Sequence, residues 1–208
     1  MISVPVFDKQ GQPLAPVEVD ETVLGKKVKK SLLRQAVQMY ENNQHVCTKG
    51  TLTRGMVSIS TRKVYRQKHT GNARMGSDST PQRRGGGVAF APQTRDISYH
   101  MPKQARRMAT RTALLSRLQG NEVNLIADLA LEAPKTKIVA GLLKTMGISG
   151  RCLFVVEETS GNLWKSARNI PGVTVRRAAD LNAYDLLQSD RLLFTQAAFN
   201  HVIEALNS

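Results

Sequence analysis

The sequence predicts an α/β protein: a mostly parallel sheet covered by helices, with a long basic loop extending from the globular domain. Three observations predict it. From residue 103 onward, short β-rich runs alternate with helical stretches over short connections, the pattern of strand–helix–strand units. Between His45 and about His100 hydrophobic periodicity largely disappears, and glycine, serine, threonine and arginine take over. The charge is also lopsided. Residues 45–111 hold 14 Lys and Arg against two acids, Asp78 and Asp96, while the whole chain carries a formal +14.

Taken in order, Val4–Phe7 and Val17–Val19 read as strands around a Gly11-Gln12-Pro13 turn. Val28, Leu32, Leu33, Ala36, Val37 and Tyr40 then recur at helical spacing and define an amphipathic helix ending near Asn42-Asn43. The Lys26-Lys27-Val28-Lys29-Lys30 cluster before it is either a solvated face or an RNA contact. Order resumes after Pro102. Residues 103–119 suit a helix with Lys103, Arg106, Arg107 and Arg111 on a basic face. A strand at Val123–Ala127, a helix at Pro134–Met146 and a strand at Cys152–Val156 follow. In the middle helix Ile138, Val139, Leu142, Leu143 and Met146 form one apolar stripe, with Pro134 near its first turn and Gly147 after its end. A short helix around Leu163–Arg168, a strand at Val173–Val175, a helix at Leu181–Leu187 and a strand at Arg191–Phe194 come next. Thr195 is a good N-cap for a last helix ending near Leu206. The flanks carry most of the Leu, Ile and Val, so residues 1–44 and 96–208 are expected to form the globular domain around an inserted loop, 45–95.

Several function classes find no support. No apolar run approaches the roughly 18 residues a membrane span needs. Met1-Ile2-Ser3-Val4-Pro5 does not read as a secretory signal, so a cytoplasmic protein is expected. Cys47 and Cys152 lie far apart and are expected to be free thiols. His45-x-Cys47 lacks the second ligand pair that a structural zinc site uses, so no metal and no cofactor are expected. Gly85-Gly86-Gly87 lacks the Gly-Lys-Ser/Thr ending of a P-loop and is better explained as backbone in unusual dihedrals or in close approach to another backbone. The four histidines are scattered, and Glu157-Glu158 has no companion group, which makes a solvated acidic edge the simpler account. Nothing in the chain composes an active site, and the chain is not expected to be an enzyme.

The basic segment has a clearer physical meaning. Arg62, Lys63, Arg66, Lys68 and Arg74 are spaced through flexible backbone, so each can reach a different phosphate. Tyr65 lies among them as a platform for an unpaired base. No acid occurs in 79–95, where an ordinary solvated face would interleave some. A segment with this composition cannot offset its own ordering entropy and is expected to be mobile when free. An irregular arm of this kind suits folded RNA, and no DNA-reading motif is present.

Two blocks in this segment, Tyr65-Arg66-Gln67-Lys68-His69-Thr70-Gly71-Asn72-Ala73-Arg74 and Ser79-Thr80-Pro81-Gln82-Arg83-Arg84-Gly85-Gly86-Gly87-Val88-Ala89-Phe90, resemble the central signature of the bacterial-type large-subunit ribosomal protein L four family. That family typically reads Trp-Arg-Gln-Lys-Gly-Thr-Gly-Arg-Ala-Arg, then Ser-Pro-x-Trp/Arg-x-Gly-Gly-x-x-Phe. Leu131-Glu132-Ala133-Pro134-Lys135-Thr136-Lys137, the stretch Asn162–Val173 and Asn182–Leu187 extend the similarity over essentially the whole chain. Departures cluster in the loop: Tyr65 at the usual tryptophan, Val64 at the preceding proline, His69 at a glycine, Asn72 at an arginine, and Ile59-Ser60-Thr61 where a glycine-rich turn is common.

The resemblance implies a structural constituent of the large ribosomal subunit that binds 23S-type rRNA, aids early assembly and lines the nascent-peptide exit tunnel with its loop. It implies as partners the rRNA, neighbouring ribosomal proteins including L twenty-two at the tunnel constriction, and the nascent peptide, and it links the loop to macrolide susceptibility. On this basis the rRNA-binding candidates are Arg54, Arg62, Lys63, Tyr65, Arg66, Lys68, Arg74, Arg83, Arg84, Arg95, Lys103, Arg106 and Arg107. Lys68, His69, Thr70 and Gly71 would form the loop tip in the tunnel. An RNA-binding translational regulator of its own operon is the alternative, and a small α/β enzyme acting on nucleotides a more distant one.

Overall fold

Strand β1 (Ile2–Phe7) pairs antiparallel with β2 (Pro13–Val19), and all the other strand pairings are parallel. The computed structural model describes residues 1–25, 27–127, 129, 131, 133–158 and 161–207. Lys26 of the basic cluster and Glu132 of the Leu131–Lys137 motif lie outside the described residues. The chain divides into two compact units, residues 1–41 with 100–208, and residues 42–99.

In the first unit β3 (Val123–Ile126), β4 (Cys152–Val156), β5 (Val173–Arg177) and β6 (Arg191–Thr195) complete a six-stranded sheet in the order β2-β1-β3-β6-β4-β5. Strands that pair in parallel need a crossover connection, and helices supply it. Between β3 and β6 these are α4 (Thr136–Thr145), α5 (Gly161–Ala167) and α6 (Ala183–Gln188). The connection from β1 to β3 runs through α1 (Glu21–Leu24), α2 (Lys30–Gln44) and α3 (Lys103–Gln119). Helix α7 (Gln196–Asn207) follows β6.

Alternation along the strands sorts the side chains onto two faces. Leu153 and Val155 of β4, with Leu192 and Phe194 of β6, join a core that includes residues of α1, α2, α3, α6 and α7. Cys152, Phe154 and Val156, with Leu193, turn to the other face, which α4 and α5 cover. All five residues of β4 are buried, as a strand covered on both sides requires. The edge strand β5 is largely solvated, and its Arg176 and Arg177 pair with Asp185 and Asp180. Among the described residues, no helix is long and apolar enough to cross a membrane.

The α/β expectation holds, with local differences that have physical reasons. The β1–β2 turn tightens earlier than expected, with the Gly11 amide donating to the Asp8 carbonyl at 2.8 Å, so Pro13 opens a longer β2. Pro5 offers no amide to the ladder, and the register shifts between Val4 and Val6 around it. Helix α1 was not expected. It is a single turn nucleated by the Asp20 carboxylate accepting from the Thr22 amide at 3.0 Å. In α4, Val139, Leu142 and Leu143 are buried, but Ile138 is 47% exposed, so the stripe is narrower than its spacing suggests. The strand expected at Val173–Val175 runs on to Arg177 because it pairs with β4 along its whole length.

Candidate nucleic-acid interface

Residues 42–99 contain no regular element after α2 ends. One isolated bridge, Thr53 to Val88, is the only ladder among their described residues. Turns and backbone hydrogen bonds shape the segment instead. The Val64 amide donates to the Gly76 carbonyl at 3.0 Å, closing a loop over the intervening residues. Lys63 Nζ reaches Gln67 Oε1 at 2.9 Å and the Met75 carbonyl at 2.6 Å, and the Tyr65 hydroxyl donates to the Ala73 carbonyl. At the far end of this loop His69 and Gly71 take left-handed backbone, with φ of 65° and 70°. His69 therefore adopts, as a bulky residue, a conformation that glycine would adopt freely.

A second knot forms over residues 77–88. Ser79 is buried, its hydroxyl 2.8 Å from that of Ser77, and its carbonyl accepts from the Gly87 amide at 3.1 Å. The triple glycine serves close approach. A Cβ on Gly86 would lie 2.0 Å from the Thr80 carbonyl oxygen, and one on Gly87 would lie 2.2 Å from the Arg54 nitrogen. This matches the account of the glycines given from sequence. Asp78 pairs with Arg83 at 2.8 Å, and the Asp96 carboxylate accepts from the Ser98 amide at 2.8 Å. That amide, with the Ser98 side chain, holds the Asp96 carboxyl below the usual carboxylate range. Both acids of the segment are therefore engaged within the chain.

Most of the expected cations are not. Arg54, Arg62, Arg66, Lys68, Arg74, Arg84 and Arg95 are exposed, and none forms an ion pair with another of the described residues. Lys63, Tyr65 and Arg83 differ, because their polar groups bond within their own unit. At the tip Lys68, His69 and Gly71 are exposed and Thr70 is half-buried.

In the other unit, Lys103, Arg106 and Arg107 stand together on the solvent face of α3. They line a cleft of about 350 Å3 that also takes in Tyr40, Asn182 and His201, with no acid among its described lining residues. Burial raises the Tyr40 phenol, with the Arg106 charge opposing. Of the four cations expected on the basic face of α3, Lys103, Arg106 and Arg107 stand at i, i+3 and i+4, whereas Arg111 is half-buried and does not line the cleft. Tyr40, Asn182 and His201 come from three other segments and carried no joint signal. Glu157 and Glu158 are exposed after β4, as a solvated edge would be. Among the described residues no three His, Cys, Asp or Glu gather as metal ligands, and both cysteines are free.

The first unit is thus an α/β sheet whose central strands are covered on both faces, and the second carries exposed cations well in excess of its two engaged acids. The chain matches the ribosomal protein L4/L1 family over residues 17–205, and it belongs to that family. The large ribosomal subunit protein uL4 of Symbiobacterium thermophilum is 43% identical over 206 residues, spanning 99% of this chain and 100% of that protein. Its counterpart in Rhodopirellula baltica is 43% identical over 205 residues, with 97% and 91% covered. A Dehalococcoides mccartyi uL4 is 38% identical over 203 residues, with 98% and 97% covered. The chain is accordingly a structural, non-enzymatic ribosomal protein, cytoplasmic like its bacterial relatives, as the resemblance implied.

Proposed function

We propose that this protein is an rRNA-binding constituent of the large ribosomal subunit that aids early assembly and lines the nascent-peptide exit tunnel. The observation that carries the binding reading is the set of exposed cations in residues 42–99 that form no ion pair among the described residues, in a chain similar from end to end to a large-subunit protein. Residues 1–44 and 96–208 act as a folded anchor, and 45–95 act as an extended loop that orders fully as rRNA folds around it. Arg54, Arg62, Arg66, Lys68, Arg74, Arg84 and Arg95 contact phosphates in the loop, and Lys103, Arg106 and Arg107 do so from the cleft. Lys63, Tyr65 and Arg83 set the loop's shape against the same RNA. Lys68, His69, Thr70 and Gly71 face the tunnel, near L twenty-two and the nascent peptide. Each phosphate neutralised releases condensed counterions, so binding weakens steeply with salt.

Ultraviolet crosslinking in growing cells, with sequencing of the attached RNA, tests this reading. Recovery dominated by large-subunit rRNA, with crosslinks on peptides from 45–95, is expected. Recovery of mainly one messenger would instead make the protein a translational regulator, and recovery of no RNA would remove the RNA reading altogether.

A further inference from the structure

Phe90 is 96% exposed, more than any other large apolar side chain among the described residues. Its backbone is nevertheless held at both ends. The Val88 amide donates to the Leu52 carbonyl at 2.9 Å, and the Thr51 amide donates to the Pro92 carbonyl at 3.0 Å. Just before this stretch, Gly87 crosses the backbone of Arg54 too closely to admit a side chain. Phe90 thus stands in the middle of a short span pinned to residues 51–54. The other aromatic of the basic loop, Tyr65, is half-buried and has its hydroxyl engaged by Ala73. Phe90 contributes almost no packing to its own chain.

The surroundings of the ring indicate what it meets. Leu52 and Val88, at the crossing, are 58% and 48% exposed, which makes the span an apolar strip. Arg54 leaves the chain at the crossing itself, and Arg84 and Arg95 flank the span in sequence, all three exposed and without an ion pair among the described residues. The nearby acids, Asp78 and Asp96, are occupied by Arg83 and the Ser98 amide. A protein pocket would account for the exposed ring but not for unpaired cations on both sides of it. The face of an unpaired RNA base, with phosphates on either side, accounts for both. Hydrogen bonds to residues 51–54 already shape this short span, so less of its backbone is left to order than elsewhere in the loop when the ring is covered.

We propose that Phe90 is a preorganised base-stacking residue that takes an unpaired nucleobase of the bound RNA on its ring, with Arg54, Arg84 and Arg95 serving the adjoining phosphates. The proposal rests on the RNA-binding reading above.

The test uses the full chain and deproteinised large-subunit rRNA from the same cells, with affinity measured over a series of salt concentrations. Phe90→Leu keeps an apolar side chain but removes the ring. It is expected to weaken binding about ten- to a hundredfold, the range of one lost base stack. The slope of affinity against salt stays unchanged, because no phosphate contact is lost. Phe90→Trp retains wild-type affinity, and both variants keep the wild-type circular dichroism and unfolding midpoint, since the side chain lies in solvent. Wild-type affinity in Phe90→Leu, while the wild-type chain binds the rRNA, overturns the stacking role and leaves the RNA reading standing. Wild-type rRNA affinity combined with failure of Phe90→Leu to enter assembled subunits also overturns it, since the ring would then seat on a protein. Failure of the wild-type chain to bind the rRNA overturns the RNA reading itself.

Discussion

The two units of this chain are held together by different forces. In residues 1–41 and 100–208 the central strands of the sheet are buried from both faces, and Phe194, Leu192, Val155 and Leu125 are fully enclosed. In residues 42–99 only Ser79 and Gly87 are buried among the described residues. Backbone hydrogen bonds, one ion pair and glycine close approach do the shaping there. Burial of apolar area scales with side-chain size and can offset chain entropy, whereas exposed turn hydrogen bonds exchange with water for a small net gain. The first unit therefore carries its own stability, and the second gains little from burial.

Removing a core ring makes the sharpest break. Phe194 packs edge-on against Phe199, with centroids 5.6 Å apart. Phe194→Ala is expected to cost about 3–5 kcal/mol in urea unfolding of the full chain. A small loss would mean that the sheet is not the source of stability.

The cysteines place one thiol in each unit. Burial pushes the Cys152 thiol up to about 12 from an ordinary 9.0. The native thiol thus keeps its proton where the unfolded thiol gives it up. Its contribution is intact below pH 9.0 and is lost progressively as pH rises toward about 12, by about 1.4 kcal/mol per pH unit. Unfolding midpoints measured across that window should fall in the wild type more steeply than in Cys152→Val. Alkylation at neutral pH should modify the half-buried Cys47 in the native chain and reach Cys152 only after unfolding.

Gly87→Ala tests the second unit by itself. Its new methyl group meets the Arg54 backbone, at a cost of about 1–3 kcal/mol as overpacking. Hydrogen exchange at the Val88 amide should speed up while the unfolding midpoint of the sheet unit stays put. A shift of both would show that the two units share stability.

His69→Gly is the smallest change and should act in the opposite direction. Relief of left-handed backbone at a bulky residue is worth about 1 kcal/mol. Exchange at the Val64 amide, which closes that loop onto Gly76, should slow by about fivefold for that energy.

The elements best read from sequence were those with unambiguous ends. Helix α3 lies between Pro102 and Gly120, and β4 is an unbroken apolar run, and both appear with the bounds expected. Less was readable where one side chain had to be weighed against distant ones. Ile138 repeats at the right interval yet faces solvent, and α1 is too short to show a period. The candidate interface was readable as charge, since fourteen cations against two acids need no structure to count. Which of them bond within the chain was not, because Lys63 finds Met75 and Arg83 finds Asp78 only through the folded turns.

By itself, then, the order of residues determined the α/β class, the placement of most helices and strands, and the segregation of positive charge into one stretch. These follow from local periodicity and composition, which involve only near neighbours in the chain. The tertiary structure alone decided the strand order that slots β6 between β3 and β4, the cleft joining Tyr40 and His201 to the α3 cations, and the crossing of Gly87 over Arg54 that leads into Phe90. Each of these joins residues far apart in sequence. Such contacts form only where the summed burial and hydrogen bonding of the fold outweigh the entropy of closing the chain between them.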